Sequence, residues 1–163
     1  MFQSIKKRLK DQRGLTLIEL LAVIVILGII AAIAVPSILG LIDNSKKDAH
    51  VANAQQMLNS AKMAIASDSN YQDTAGASKY LTLNELVKKN YLDKVDSPDA
   101  NKPYLDGGNT SISADSANVS YVEIIDGKIV EIKLITASRG INATGTTADP
   151  VSPQDLVREK VTP

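Results

Sequence analysis

Cysteine is missing from all 163 residues. No disulfide framework and no thiolate metal site is available, so the fold rests on packing alone. Tryptophan is missing too, there is one phenylalanine, and the one histidine is His50. Aromatic-lined pockets and histidine-based catalysis are both poorly provided for. No nucleophile–base–orienter set is visible, because His50 lies on a helical segment with no evident partner. The chain is therefore not expected to be an enzyme, and it calls for no cofactor and no metal. Asp106, Asn109 and Asp115 fit no standard calcium-loop spacing and read as a solvated turn. Asn109, Asn118 and Asn142 each open a glycosylation sequon, a match that composition alone produces.

Charge is missing from residues 20–42, a run of 23 positions. As a helix that run spans a hydrocarbon core of about 30 Å, and inside a bilayer only a helix satisfies its own backbone. Gly28, Pro36 and Gly40 weaken it, since Pro36 removes a donor and favours a kink. Charge is present in excess just before the run. Residues 1–14 hold Lys6, Lys7, Arg8, Lys10 and Arg13 against Asp11 alone, and the remainder holds thirteen basic and seventeen acidic residues. A basic head and an acidic body argue for a cytoplasmic N-terminal anchor with the rest facing outward. They do not predict direct nucleic-acid binding.

Past the charge-free run, Val51, Ala54, Leu58, Ala61 and Ile65 form one apolar helical stripe, with Lys46, Lys47, Asp48, Gln55 and Asn59 off it. One helix is expected from about residue 15 to about residue 66. Lys46 and Lys47 read as a solvated face or a headgroup contact, and His50 as a solvated helix residue off the stripe. Residues 67–80 read as a loop. A short helix follows, with Thr82 as N-cap and Glu85 in capping-box spacing and Leu83, Leu86 and Val87 turned inward.

Asp126-Gly127 between two β-branched runs signals a two-residue hairpin. An unbroken ladder pairs Ile125 with Lys128, Ile124 with Ile129, Glu123 with Val130, Tyr121 with Ile132 and Val119 with Leu134. Val119, Tyr121, Val130, Ile132 and Leu134 would then cover the helix. A lone hairpin is marginal, so a third strand is expected, with 103–113 as its source. The tail from residue 137 reads as extended or mobile, with a single helical turn starting at Ser152-Pro153. The expected class is α+β: a long N-terminal helix, half membrane-spanning and half amphipathic, packed on a small antiparallel sheet. The expected divisions are a leader at 1–14, a membrane and polymerisation helix at 15–42 and an outward domain at 43–163. The last subdivides into an amphipathic helix half at 43–66, an αβ-loop region at 67–117, a hairpin at 118–136 and a polar tail at 137–163.

Glu19 is the anomaly: by position alone it reads either as a carboxylate snorkelling at the cytoplasmic headgroup level or as a functional group. An isolated carboxylate inside a membrane helix costs about 2.5–3.5 kcal/mol at the centre, less near an interface. If the chain were cut after Gly14, Leu15 would carry a new α-amine one helical turn from Glu19. The amine of one copy would then pair with the carboxylate of a neighbouring copy, which makes the buried charge tolerable.

A short basic leader ending in Arg13-Gly14, then Leu15-Thr16-Leu17-Ile18-Glu19, then a charge-free run holding Gly28 and Pro36, resembles the class III signal of type IV pilins and related pseudopilins. The resemblance implies cleavage between Gly14 and Leu15 by a membrane-embedded prepilin peptidase and N-methylation of Leu15. It implies that Leu15, Thr16 and Glu19 act in assembly, and that the helix loosens between Gly28 and Pro36. The partners it implies are further copies in a homo-oligomeric filament, an assembly platform protein and its ATPase. The chain would sit single-pass in the membrane, N-terminus in the cytoplasm, and then join a surface pilus for adhesion, twitching or DNA uptake. Two departures stand out: Leu15 is where phenylalanine is commonest, and the family's frequent C-terminal cysteine pair is absent. Cysteine-free pilins are typical of Gram-positive bacteria. A minor pilin or pseudopilin of a competence or secretion system is the near alternative. A secreted domain behind an ordinary signal peptide cut after Ala34 is the distant one, since Ala32-Ile33-Ala34 fits the small-x-small pattern.

Overall fold

The computed structural model describes residues 2–72, 74–108, 118–142 and 149–162, with side chains from residue 16 onward. Asn109 and Asp115, and residues 109–113 of the stretch expected to supply a third strand, lie outside the described residues. The chain divides into two units, Met1–Asp43 and Asn44–Pro163.

Helix α1 (Phe2–Ser67) runs unbroken through Pro36. It begins well before residue 15, because Lys, Arg, Gln and Leu in the leader are all good helix formers. In the first unit its described apolar side chains are largely exposed. The large ones between 17 and 42 stay between 47% exposed at Ile42 and 73% at Ile33. Among the described residues, α1 is the helix long and apolar enough to cross a membrane.

In the second unit, residues 44–67 of α1 bury the expected stripe. Ala54, Leu58, Ala61 and Ile65 join one core cluster with Met57 and Ala64, and Val51 packs at its margin. Three alanines on this face let the sheet approach closely, while each fully buried Leu or Ile contributes about 1.5–3 kcal/mol. The sheet half of the cluster is Leu81, Val122, Ile124, Ile132, Leu134 and Ile141. The architecture is α+β, a long N-terminal helix packed on a small antiparallel sheet.

That sheet is an antiparallel run of β1 (Lys79–Thr82), β2 (Tyr121–Ile125), β3 (Lys128–Ile135), β4 (Gly140–Ile141) and β5 (Val161–Thr162), in that order. Helix α2 (Leu83–Lys88) follows β1 directly. Thr82 closes the strand and caps the helix: its Oγ1 accepts from the Glu85 N–H at 3.1 Å, and the Glu85 carboxylate accepts from the Thr82 N–H at 3.0 Å. Leu83 and Leu86 are buried and Val87 is half-buried. The third strand is thus β1, whose first two residues read from sequence as loop and whose last two as the entry to the short helix, because four residues ending in an N-cap carry no periodicity. Of the segment expected to supply it, Tyr104 forms an isolated bridge to Thr136.

The hairpin turn forms at Asp126-Gly127, with Ile125 opposite Lys128 and Ile124 opposite Ile129. Asp126 and Gly127 both take positive φ, 45° and 73°, which is what a two-residue hairpin turn of the primed kind demands. Beyond that the expected ladder is wrong. A bulge places Glu123 opposite Glu131, Val122 opposite Ile132 and Tyr121 opposite Lys133. Val130 is the extra residue and stands 40% exposed. One inserted residue exchanges the faces of β2. Val122 and Ile124 therefore meet α1, and Tyr121 turns to the opposite face, where Tyr80 meets it edge-on at 5.3 Å and the Lys133 ammonium lies 5.4 Å from its ring centre.

The tail is not a loose extension. Ile141, Val151, Leu156 and Val161 are all buried in the core cluster. Val151 exchanges two 2.8 Å backbone hydrogen bonds with Ile132. The expected single turn forms at Pro153–Asp155 as a 3-10 turn. The tail's fit depends on Gly140, where a Cβ would lie 2.5 Å from the Ile135 Cα and 2.6 Å from the Leu134 carbonyl oxygen. The obstruction is backbone, which cannot rotate away. Gly140→Ala should cost about 3 kcal/mol, the upper end of overpacking penalties. Denaturant unfolding of the full chain in detergent, followed by circular dichroism, reads this. An unchanged midpoint would show that β4 is free to move off β3.

Candidate functional site

The residues singled out from sequence lie along α1. Thr16 and Glu19 share one helix with the backbone of residues 14 and 15; the Leu15 side chain lies outside the described residues. Glu19 is exposed, flanked by Ile18 and Leu20, which are 65% and 62% exposed. Helical geometry places residue 19 one turn above residue 15. Gly28 and Pro36 lie further along the same helix. At Gly28 an added Cβ would meet nothing within 4 Å, so no packing within the chain requires glycine there. Pro36 lacks the N–H that would close the helix on residue 32.

The second unit holds a cluster that the sequence reading missed. His50 is fully buried, not solvated. Its Nε2 lies 3.1 Å from Asp99 Oδ2 and its Nδ1 2.8 Å from the Tyr104 hydroxyl. The carboxylate can only accept, so Nε2 carries the proton, and Nδ1 accepts from Tyr104. Asn53 donates to the Tyr104 oxygen at 2.9 Å. Burial favours the neutral imidazole and lowers its pKa below the ordinary 6.5, against the opposing pull of the Asp99 carboxylate. Burial likewise pushes Tyr104 up to about 12. Asp99 also faces Lys46 at 3.7 Å and Arg139 at 3.5 Å. Lys46 is therefore half-buried in an ion pair rather than simply solvated.

The signal for His50 was in the sequence. It stands four residues before Ala54 and seven before Met57, which continues the buried stripe by one turn. Nothing local marks Asp99, which reaches His50 across 49 positions. The cluster is a tether: it ties the 96–104 loop to α1, and among the described residues no buried side-chain polar atom is left without a partner. Asp106, one member of the weighed calcium loop, instead accepts from the Gly108 N–H at 3.0 Å as a local turn.

A long helix packed on an antiparallel sheet, with its N-terminal half apolar and uncovered, is a pilin-like arrangement. The prokaryotic N-terminal methylation motif matches residues 9–35. No curated protein and no solved structure matches the chain. The motif supports a type IV pilin-like or pseudopilin protein, and the proteins that carry it are of a structural kind.

Proposed function

We propose that this chain is the structural subunit of a type IV pilus. A prepilin peptidase cuts between Gly14 and Leu15, the Leu15 amine is methylated, and the subunit waits as a single-pass membrane protein with its N-terminus in the cytoplasm. An assembly platform protein and its ATPase then draw it into a homo-oligomeric surface filament. The observation that carries this reading is the methylation motif at 9–35 running into a helix whose described apolar residues are largely exposed. An uncovered apolar helix requires either lipid or identical neighbours. The reading gives it both in turn. Leu15, Thr16 and Glu19 set the register between neighbours, and the Gly28–Pro36 segment supplies the give that helix packing in a filament needs. Absence of cysteine supports a Gram-positive source.

The test is the mature N-terminus, read by mass spectrometry of material sheared from the cell surface. A chain starting at Leu15 and heavier by one methyl group is expected. A chain starting at Val35 would overturn the reading, because the apolar run would have been discarded as a signal peptide. Abundance in the sheared fraction then separates a major subunit from a minor one or a pseudopilin.

A further inference from the structure

Asp126 at the hairpin turn is exposed, yet it is gripped from a loop 50 residues earlier in the chain. Its Oδ1 accepts from the Thr74 N–H at 3.2 Å, the Thr74 hydroxyl at 3.1 Å and the Gly76 N–H at 3.0 Å. The Thr74 Oγ1 in turn accepts from the Asp126 N–H at 3.0 Å, so the side chain and the backbone of Asp126 are both held. Ala75 and Gly76 take positive φ, 50° and 77°. Such turns aim nearby N–H groups at one point and make an anion cradle. At an alanine that conformation is uncommon.

An Asp-Gly pair is open to a backbone rearrangement. The Gly127 nitrogen attacks Asp126 Cγ, a C–N bond forms, and the carboxyl hydroxyl leaves as water with the amide proton. The product is a five-membered succinimide. One water adds to either carbonyl and reopens it, to aspartate or to isoaspartate, whose backbone is one methylene longer. Water is the one co-reactant, and nothing is oxidised or reduced. Glycine has no Cβ, so the attacking nitrogen is unshielded. The step needs a protonated carboxyl, whose hydroxyl can leave, and a carboxyl rotated onto the Gly127 nitrogen. The loop opposes both. Rotation breaks the three hydrogen bonds on Oδ1. The Gly76 and Thr74 hydrogen bonds also hold the Asp126 carboxyl below its ordinary pKa, so less of it is protonated at any pH above that value.

We propose that Asp126-Gly127 is a latent site of succinimide-mediated isomerisation and that the Thr74–Gly76 loop is the clamp that holds it shut. What the clamp protects is the sheet register. The turn sets Ile125 opposite Lys128 and Ile124 opposite Ile129, through positive φ at both of its residues. Isoaspartate inserts an extra backbone atom at that point. In a ladder of period two, a slip exchanges the buried and exposed faces. Val122 and Ile124, both fully buried, are the side chains it would displace. The device lies wholly within the second unit and does not depend on the filament reading.

The full chain in neutral detergent is incubated at mildly acidic pH, and isoaspartate at residue 126 is measured over time by electron-transfer fragmentation mass spectrometry. Each variant is held equally far below its own unfolding midpoint, so that lost overall stability does not mimic a lost clamp. The same chain unfolded in urea should isomerise about tenfold faster than the folded chain, the low-end worth of three hydrogen bonds. Thr74→Val removes the two bonds of the hydroxyl and should speed the folded chain about fivefold. Thr74→Ser keeps the hydroxyl and should stay at the wild-type rate. Gly140→Ala weakens the sheet away from the turn and should also leave the rate unchanged. Any of four results would overturn the proposal: equal rates in the folded and urea-unfolded chain, no rise in Thr74→Val, a rise in Thr74→Ser as large as in Thr74→Val, or an equal rise in Gly140→Ala. The comparison with urea needs no variant, so the proposal stays open to refutation even where Thr74→Val fails to fold.

Discussion

Glu19→Ala should abolish filaments while leaving the protein in the membrane. In the proposed filament the Leu15 amine of one subunit faces the Glu19 carboxylate of the next, in apolar surroundings. Removing one partner of a buried pair leaves an uncompensated charge and costs about 3–5 kcal/mol. The lower figure alone weakens subunit addition by about a hundredfold. A filament multiplies that cost along its length, because every subunit makes the contact. Membrane insertion should persist or improve, since the change removes a carboxylate from a helix whose other residues from 17 to 42 carry no charge. The measurement pairs the yield of sheared filaments with the amount of processed subunit in the membrane fraction. Undiminished filament yield would end the amine–carboxylate account. Loss of subunit from the membrane would show that Glu19 acts in insertion instead.

Asp99→Ala should destabilise the globular unit by about 2–3 kcal/mol, since it strands a buried donor on His50. Lys46 and Arg139 rehydrate in part, their side chains being 37% and 25% exposed, which keeps the loss below that of a fully buried pair. Asp99→Asn keeps an acceptor for His50 and should lose less. The same cluster sets a pH dependence. Burial lowers the His50 pKa in the folded state, so the unfolded chain binds the extra proton more readily. Stability is then fully present above the ordinary imidazole value of 6.5 and falls as pH drops through it towards the folded pKa. His50→Gln should flatten that slope whatever it does to the absolute value. Without tryptophan, the readout is denaturant unfolding of the full chain followed by circular dichroism at a series of pH values. Stability that stays level from neutral pH down to the carboxylate range would show that His50 is not held neutral by the fold.

Some of this was legible in the chain because its cause is local or periodic. The charge-free run at 20–42 follows from composition over a window. The stripe from Val51 to Ile65 follows from helical period, the Thr82–Glu85 box from a three-residue spacing, and the Asp126-Gly127 turn from the φ values it demands. Glu19 stands out by contrast with its neighbours, and the family signal is contained in a few adjacent residues.

What failed depended on distant partners. The β2 face was misassigned because Val119, Tyr121, Val122, Ile124 and Ile125 leave apolar residues on both faces of the strand. The bulge at Val130 decides between them, and nothing local in the sequence marks it. β1, β4 and β5 are too short to show a period, and they exist as strands because β2, β3 and each other supply the hydrogen bonds. The tail looked polar because Ile141, Val151, Leu156 and Val161 are spaced for a winding path over the core rather than for one helix or one strand. By itself the sequence determined the apolar run, the N-terminal methylation motif and the α+β class, all consequences of near-neighbour chemistry. Tertiary structure alone decided the sheet register, the docking of the tail and the meeting of His50, Asp99, Tyr104 and Arg139, because each needs residues tens of positions apart to share one small volume.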